Sequence, residues 1–166
     1  MLRPAAVLAL MLCAAPALAE YVDDPSFQLC ANATGYYDVA ATNDWLARLR
    51  SSDGSAMREV AGTWYAEFQA NVGGVDYAYS NTIRWTPQGV MDFQTRTCSA
   101  PYGVTGCSDD YGHGLYTAHR EAGGGIFVTR NITSLTRVNQ CGGASYRMEN
   151  GVLVDQNGKA WALLRQ

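Results

Sequence analysis

The sequence predicts a mainly β fold, an antiparallel up-and-down β-barrel of about eight strands that is preceded by an N-terminal α-helix. After Gly62, large apolar residues alternate with polar ones in one segment after another, and glycine-containing turns separate the segments. Such alternation gives each strand one buried and one exposed face. A large sheet with one apolar face has to pack on another sheet or close on itself. Hairpins between nearest neighbours favour a closed barrel over a Greek-key sandwich.

The best helical pattern lies in YYDVAATNDWLARLRSSDG, residues 36–54. Its apolar side chains recur on one face at a helical period, namely Val39, Trp45, Leu46 and Leu49. Thr42 or Asn43 is the expected N-cap of its stronger half. A further single turn is predicted in AMREV, just before the first strand. We expect the longer helix to cover one end of the barrel, with Trp45 and Leu49 packed into that end.

The first three predicted strands each have a clear apolar side. In TWYAEFQA, VDYAYSNTIRW and VMDFQTRT the residues on that side are Trp64, Ala66, Phe68, Val75, Tyr77, Tyr79, Ile83, Trp85, Met91 and Phe93. The pair Gly73–Gly74 and the sequence TPQG are predicted to turn the chain between these strands, because glycine and proline suit tight turns.

The second half of the barrel is less regular in sequence. The stretch CSAPYGVTGCSDDYGHG is expected to form a long loop at the rim, or a strand that such a loop interrupts. LYTAHRE and IFVTRNITS flank a glycine run and indicate a hairpin, whereas SLTRVNQC is either a short strand or a connection. Two Asn-Gly pairs, at 150–151 and 157–158, suit type I′ turns. Three strands are therefore predicted at roughly 144–149, 152–156 and 159–165.

The N-terminus reads as a signal peptide. Arg3 precedes a short apolar run, and A-L-A at positions 17–19 has the form of a cleavage site, so we expect residues 1–19 to be removed. Residues 20–61 would form an arm and helix, and residues 62–166 the barrel domain. Loss of Arg3 leaves 11 of the 12 Lys and Arg side chains against 15 acidic ones, which argues against nucleic acid as a partner. No second apolar run is long enough for a membrane span. The compact signal is typical of bacteria and predicts a periplasmic or secreted protein.

Four cysteines remain after such cleavage, namely Cys30, Cys98, Cys107 and Cys141. An even number in an exported chain predicts two disulfides. Of the three possible pairings we favour Cys98–Cys107, which closes a local loop, and Cys30–Cys141, which joins the N-terminal segment to the barrel. Closing the longer loop is worth about 4 kcal/mol in the chain-entropy treatment. A zinc site is the alternative, but the chain has no C-x-x-C pair.

A short helical turn followed by GTWY at the start of a meander, in an exported chain, resembles the lipocalin and calycin superfamily. In that family the Gly-x-Trp motif lies at the closed end of the barrel, and an arginine from late in the chain packs over the tryptophan. Gly62 and Trp64 match the motif. The resemblance implies that Trp64 plugs one end and that Arg165 covers it, with Arg147 as the second choice. Small-barrel bacterial protease inhibitors share this motif, so binder and inhibitor both stay open.

Residues that could carry catalysis or bind metal are sparse. His113 and His119 would share one strand face, but six residues at about 3.3 Å each separate them by about 20 Å, so they cannot hold one metal. Asp109–Asp110 with Asp76 or Asp92 would form an acidic cluster, but a calcium-loop spacing is missing. No G-x-S-x-G nucleophile motif occurs. We therefore predict no enzymatic activity, no metal and no cofactor.

The aromatic and sulfur-containing residues of the early strands are the predicted ligand-binding set. They are Tyr77, Tyr79, Trp85, Met91 and Phe93. Side chains fill a small barrel or leave room for one ligand, and both alternatives stay open. The predicted function is non-enzymatic binding of a small apolar or amphipathic molecule by a monomer. The alternative is a protein-binding barrel, such as an inhibitor of an exported protease, whose arm at residues 20–35 enters the partner's cleft.

Overall fold

The computed structural model describes residues 25–99 and 105–164. The predicted signal peptide and Arg165 lie outside these ranges. Within them, eight antiparallel strands close into one up-and-down barrel in which each strand pairs with its sequence neighbours and the first pairs with the last. The strands are β1 Gly62–Val72, β2 Val75–Trp85, β3 Val90–Ser99, β4 Gly106–Arg120, β5 Ile126–Ser134, β6 Gln140–Glu149, β7 Val152–Asp155 and β8 Ala160–Leu163. The predicted antiparallel barrel is thus confirmed.

Strand register fixes which side chains face the interior. Trp64 pairs with Ile83, and Ile83 pairs with Phe93, so these alternate positions share the inner face of β1, β2 and β3. Continued around the barrel, the same face carries Ile126, Val128, Tyr146, Leu153 and Trp161. These residues belong to one buried apolar cluster, apart from Phe93, which is partly buried and packs against it. The alternation in the sequence therefore separates core from surface along the early strands.

The hairpin turns fall into two types. Gly73–Gly74 has φ of 61° and 82°, and Asn150–Gly151 has φ of 52° and 80°, as two-residue type I′ turns require. The connections 86–90, 121–125 and 155–159 are longer, and in each the first N–H donates to the carbonyl of the last residue. Their fourth residue is a left-handed glycine. The prediction of a second type I′ turn at 157–158 is wrong, because Asn157 lacks the positive φ that such a turn needs and the Gly158 N–H donates to the Asp155 carbonyl instead.

One end of the barrel is closed by α2, Gly54–Val60. Asp53 caps this helix. Its carboxylate accepts hydrogen bonds from the Ser55 hydroxyl and from the N–H groups of Ser55 and Ala56, and these bonds lower the pKa of the carboxyl. Met57 and Val60 are buried in the core cluster beside the inward residues. The short turn before the first strand therefore closes this end, and the opposite end carries the hairpin 73–74, the connection 135–139 and the turn 156–158.

The longer helix, α1 Val39–Arg50, lies outside the barrel. Trp45 is fully buried, but it packs with Phe27 and Leu115 in a second cluster on the outer side of β4. The prediction that Trp45 and Leu49 enter one barrel end is therefore wrong. The N-cap of α1 is Asp38, whose carboxylate accepts a hydrogen bond from the Ala41 N–H at 2.9 Å. The prediction that Thr42 or Asn43 caps this helix is therefore also wrong.

Side-chain hydrogen bonds and a disulfide hold the segment before α1 against the barrel wall. The amide of Asn131 donates to the carbonyls of Phe27 and Leu29 at 2.9 Å each, and the indole of Trp45 donates to Phe27 at 2.9 Å. Cys30 is bonded to Cys141 with their Cα atoms 5.3 Å apart. A 3-10 turn, Pro25–Gln28, precedes this anchor.

Both predicted cysteine pairs are present. The Cys98–Cys107 disulfide joins residues that lie directly opposite each other on β3 and β4, with a Cα separation of 4.1 Å. It therefore links two paired strands as well as closing a local loop. Of the helices within the described ranges, none has the length and apolarity that a membrane-spanning helix needs.

Candidate ligand-binding site

A cavity of about 430 Å³ occupies the interior at the end opposite α2. Its apolar lining comes from inward side chains of six strands, namely Phe68, Tyr79, Ile83, Met91, Phe93, Ile132, Ala144, Tyr146 and Trp161. Its polar lining is Asn81, Thr95, Arg130, Arg137, Asp155, Gln156, Asn157 and Lys159. The volume lies within the usual range for a small-molecule site.

The floor of this cavity is a layer of buried side chains. Ile83, Met91 and Tyr146 are at most 7% exposed, and they separate the cavity from the residues packed on α2. Burial raises the pKa of the Tyr146 hydroxyl, and the charge of Arg130 opposes this shift. Tyr146 is therefore a neutral hydroxyl at physiological pH, set in an otherwise apolar floor.

The strand β4 has no lining residue because Phe93 covers its inner side. A Cβ placed on Gly112 would lie 2.4 Å from Cε1 of Phe93, so only a glycine leaves room for the ring. Gly112 and Phe93 are direct partners across β3 and β4. This pair therefore sets one wall of the cavity.

Aromatic rings form the wall on the other side. Phe68 and Tyr79 stack with centroids 4.6 Å apart, and Tyr77 stacks on Tyr79 at 6.1 Å. The Nζ of Lys159 lies 3.2 Å from the centroid of Phe68 and 5.8 Å from that of Trp161. An ammonium over ring faces is held by cation–π attraction.

Three of the five predicted ligand-binding residues line this cavity. Tyr79, Met91 and Phe93 face it, as the alternation implied. Tyr77 is not part of the cavity lining, and its ring stacks on that of Tyr79. Trp85 is 2% exposed and packs against Tyr146 below the floor. A role in ligand binding stays a prediction for all of these residues.

The charged lining residues were not identified from the sequence. Arg130 could have been found, because it alternates with Ile126, Val128 and Ile132 in IFVTRNITS and therefore faces inward with them. Lys159 gave no such signal, since it follows the Asn-Gly pair at the end of a turn. Arg137 lies in a connection without periodicity.

The residues predicted to plug the closed end lie at the start of β1. Trp64 is 2% exposed, and its indole donates to the Val60 carbonyl at 2.7 Å. Gly62 has φ of 146°, and a Cβ there would approach Cδ1 of Leu163 to 2.7 Å. Arg165 lies outside the described residues. The second choice, Arg147, instead forms an ion pair with Glu149 at 3.5 Å.

The other candidate groups lie on the outer surface. His113 and His119 both face outward on β4, where His113 contacts the Phe27 ring and His119 contacts Thr117. Across residues 25–99 and 105–164, no group of three metal-binding side chains comes together. A hollow of about 650 Å³ at the closed end runs past Arg84, Pro87 and other exposed residues, so it is a surface groove.

Comparison of this chain with protein-family models, with curated proteins and with solved structures found no match.

Proposed function

We propose that this protein is an exported, lipocalin-like barrel that binds a small, partly apolar molecule in the cavity opposite α2, as a monomer and without catalysis. The observation that carries this proposal is the cavity itself, about 430 Å³ in volume and lined by aromatic and aliphatic side chains at its floor and walls. Ligand sites in proteins are concave, mostly apolar and supplied with a few polar groups.

The closed end supports the same proposal. Trp64 and α2 close one end of the barrel, so a molecule would enter from the other end and stop at the floor of Ile83 and Met91. The motif Gly62-x-Trp64 at this end agrees with the lipocalin resemblance. Two disulfides agree with an exported location, where oxidised cysteines persist.

The protein-binding alternative depends on residues 20–35 as an extended arm. Phe27 and Cys30 of this segment are buried, and hydrogen bonds from Asn131 hold its backbone on the barrel. The contacts of the described part therefore do not favour an inhibitory arm. Assays against exported proteases provide the direct check of this alternative.

The proposed function is tested by titration with uncharged anilinonaphthalene, whose fluorescence rises in apolar sites. The wild-type protein is expected to bind it, whereas Ala144→Phe, which places a ring in the cavity, is expected to weaken binding at least about 10-fold, because the ring occupies the space of the ligand. The matched control is Ala162→Phe, since Ala162 lies on the exposed outer face of β8. Circular dichroism and thermal unfolding show whether each variant is folded.

Two outcomes would overturn the proposal. The first is a wild-type protein that gives no saturable fluorescence change. The second is a folded Ala144→Phe protein that binds the probe as tightly as Ala162→Phe does, because the probe would then bind elsewhere.

A further inference from the structure

The polar lining of the cavity carries more positive than negative charge. Arg130, Arg137 and Lys159 belong to this lining, and the acidic group in it is Asp155. Arg137 and Lys159 lie at the mouth, in the connections that follow β5 and β7, whereas Arg130 lies further in on β5. The whole chain has the opposite balance, with a net charge of −3. Positively charged side chains are therefore clustered at the cavity, although the protein as a whole is acidic.

The carboxylate of Asp155 is engaged by its own turn. Its Oδ1 accepts from the backbone N–H groups of Asn157 and Lys159 at 2.9 and 3.0 Å, and its Oδ2 accepts from the Trp161 indole at 3.4 Å. In the part of the chain that the structure describes, four ion pairs occur, and all join residues outside the cavity. Thus none of the three cavity cations has a paired carboxylate there.

Lys159 is held at a fixed place in this mouth. Its backbone belongs to the Asp155 turn, and its ammonium lies over the ring of Phe68 at 3.2 Å. Burial lowers the pKa of Lys159, and the charge of Asp155 opposes that shift. A nearby anion would restore the solvation that the ammonium lacks, because opposite charges favour the charged form.

Arg130 supplies a second charge from the opposite wall. It lies on β5 with its side chain on the inner face, and its charge acts on the Tyr146 hydroxyl in the floor. Arg137 lies in the connection between β5 and β6 at the same end. Guanidinium groups bind planar or tetrahedral oxyanions with two parallel hydrogen bonds.

Building on the proposed function, we infer that the ligand is an amphipathic anion whose oxyanion head lies among Arg130, Arg137 and Lys159. Its apolar part would lie on the floor and the aromatic walls of the cavity. Carboxylates and phosphates share this head-group chemistry. Either would bring one or two negative charges to three cations that form no ion pair with another described residue.

A matched pair of probes separates the head group from the apolar part. Anilinonaphthalene sulfonate differs from uncharged anilinonaphthalene by one anionic group. We expect the sulfonate to bind the wild-type protein about 10-fold more tightly, since hydrogen bonds to charged groups contribute more than neutral ones. Raising the salt concentration should weaken binding of the sulfonate and leave the uncharged probe unaffected.

Variants then assign the effect to the mouth. In Lys159→Gln and Arg130→Gln, the ratio of the affinity for the sulfonate to the affinity for the uncharged probe should fall from about 10 towards one, because a charge that distinguishes the two probes is lost. The matched control is Arg96→Gln, since Arg96 lies on the exposed outer face of β3. Competition by decanoate, decyl phosphate and decanol then distinguishes a carboxylate head, a phosphate head and no anionic head.

The outcomes separate this inference from the proposed function. If the uncharged probe binds and the sulfonate binds no more tightly, the anionic head is wrong and the apolar site stands. If Arg96→Gln lowers the preference as much as Lys159→Gln does, the effect comes from overall charge and the inference fails. If neither probe binds, both proposals fail.

Discussion

The indole N–H of Trp64 donates to the backbone carbonyl of Val60 at 2.7 Å, which ties the last turn of α2 to the first strand of the barrel. Trp64→Phe keeps a ring in place but removes the donor, so the buried carbonyl loses its partner. We expect the free energy of unfolding to fall by about 1–3 kcal/mol in urea titrations. Tyr65→Phe is the neighbouring control, because Tyr65 contacts Glu67 on the outer surface and should change much less. Equal losses in the two variants would contradict a special role for the Trp64 bond.

Gly62 should tolerate no side chain. Its φ of 146° disfavours other residues, and a Cβ would collide with Leu163 on β8. Gly62→Ala is expected to lower the free energy of unfolding by about 1–3 kcal/mol, as measured by thermal unfolding. Gly106→Ala serves as the control, since a Cβ on Gly106 meets no atom within 4 Å. A thermal midpoint of Gly62→Ala equal to that of the control would show that this position is not strained.

The two disulfides should differ in their contribution to stability. Cys30–Cys141 spans 111 residues and Cys98–Cys107 spans 9. The longer loop restricts the unfolded chain more. We expect the free energy of unfolding to fall by about 4 kcal/mol when alanine replaces Cys30 and Cys141, and by about 2–3 kcal/mol when it replaces Cys98 and Cys107. Denaturant unfolding of the two double variants provides the comparison. A larger loss for the shorter loop would mean that native contacts, rather than chain entropy, dominate.

Stability should fall in strongly alkaline solution because of Tyr116. Burial raises the pKa of its hydroxyl well above the usual value near 10, and the hydroxyl donates to the Thr86 carbonyl at 2.6 Å. Its contribution is therefore complete below the unfolded pKa and is lost as the pH rises through the folded one. Tyr116→Phe should lower the free energy of unfolding by about 1 kcal/mol at neutral pH. Above about pH 10, where the unfolded hydroxyl ionises, the variant should lose less stability than the wild type as the pH rises.

Tyr146 would contribute to the same alkaline loss of stability, since burial raises the pKa of its hydroxyl as well. Unfolding of the wild type, Tyr116→Phe and the double variant with Tyr146→Phe separates the two contributions. If the wild type and the double variant lose stability equally with pH, other groups cause the alkaline loss.

The strand pattern was predictable because it depends on local chemistry. Alternation placed Trp64, Ile83 and Phe93 on one face, and the register confirms that they are neighbours across strands. The pair Asn150–Gly151 likewise predicted the type I′ turn that it forms. Such signals involve residues close in sequence, so no knowledge of distant contacts is needed.

The placement of α1 and the charged mouth were not predictable in the same way. An apolar helix face shows that Trp45 is buried, but the surface that buries it, around Leu115, comes from a strand that is distant in sequence. The strand β4 was obscured by Gly112 and Gly114, which look like turn residues although one leaves space for Phe93. Lys159 reaches the cavity only because its turn folds over the mouth.

α1 covers the outer side of one half of the barrel wall and leaves the other half uncovered. Leu115, Thr117, Thr129 and Asn131 are buried on the outer side of β4 and β5, so this half is packed on both faces. The outer faces of β1, β2 and β8 are largely open to solvent. Fluctuations that widen the mouth should therefore occur on the uncovered half, where amide hydrogen exchange is expected to be fastest. We therefore expect a ligand to enter past the uncovered strands, while the strands that are packed on both faces keep their positions.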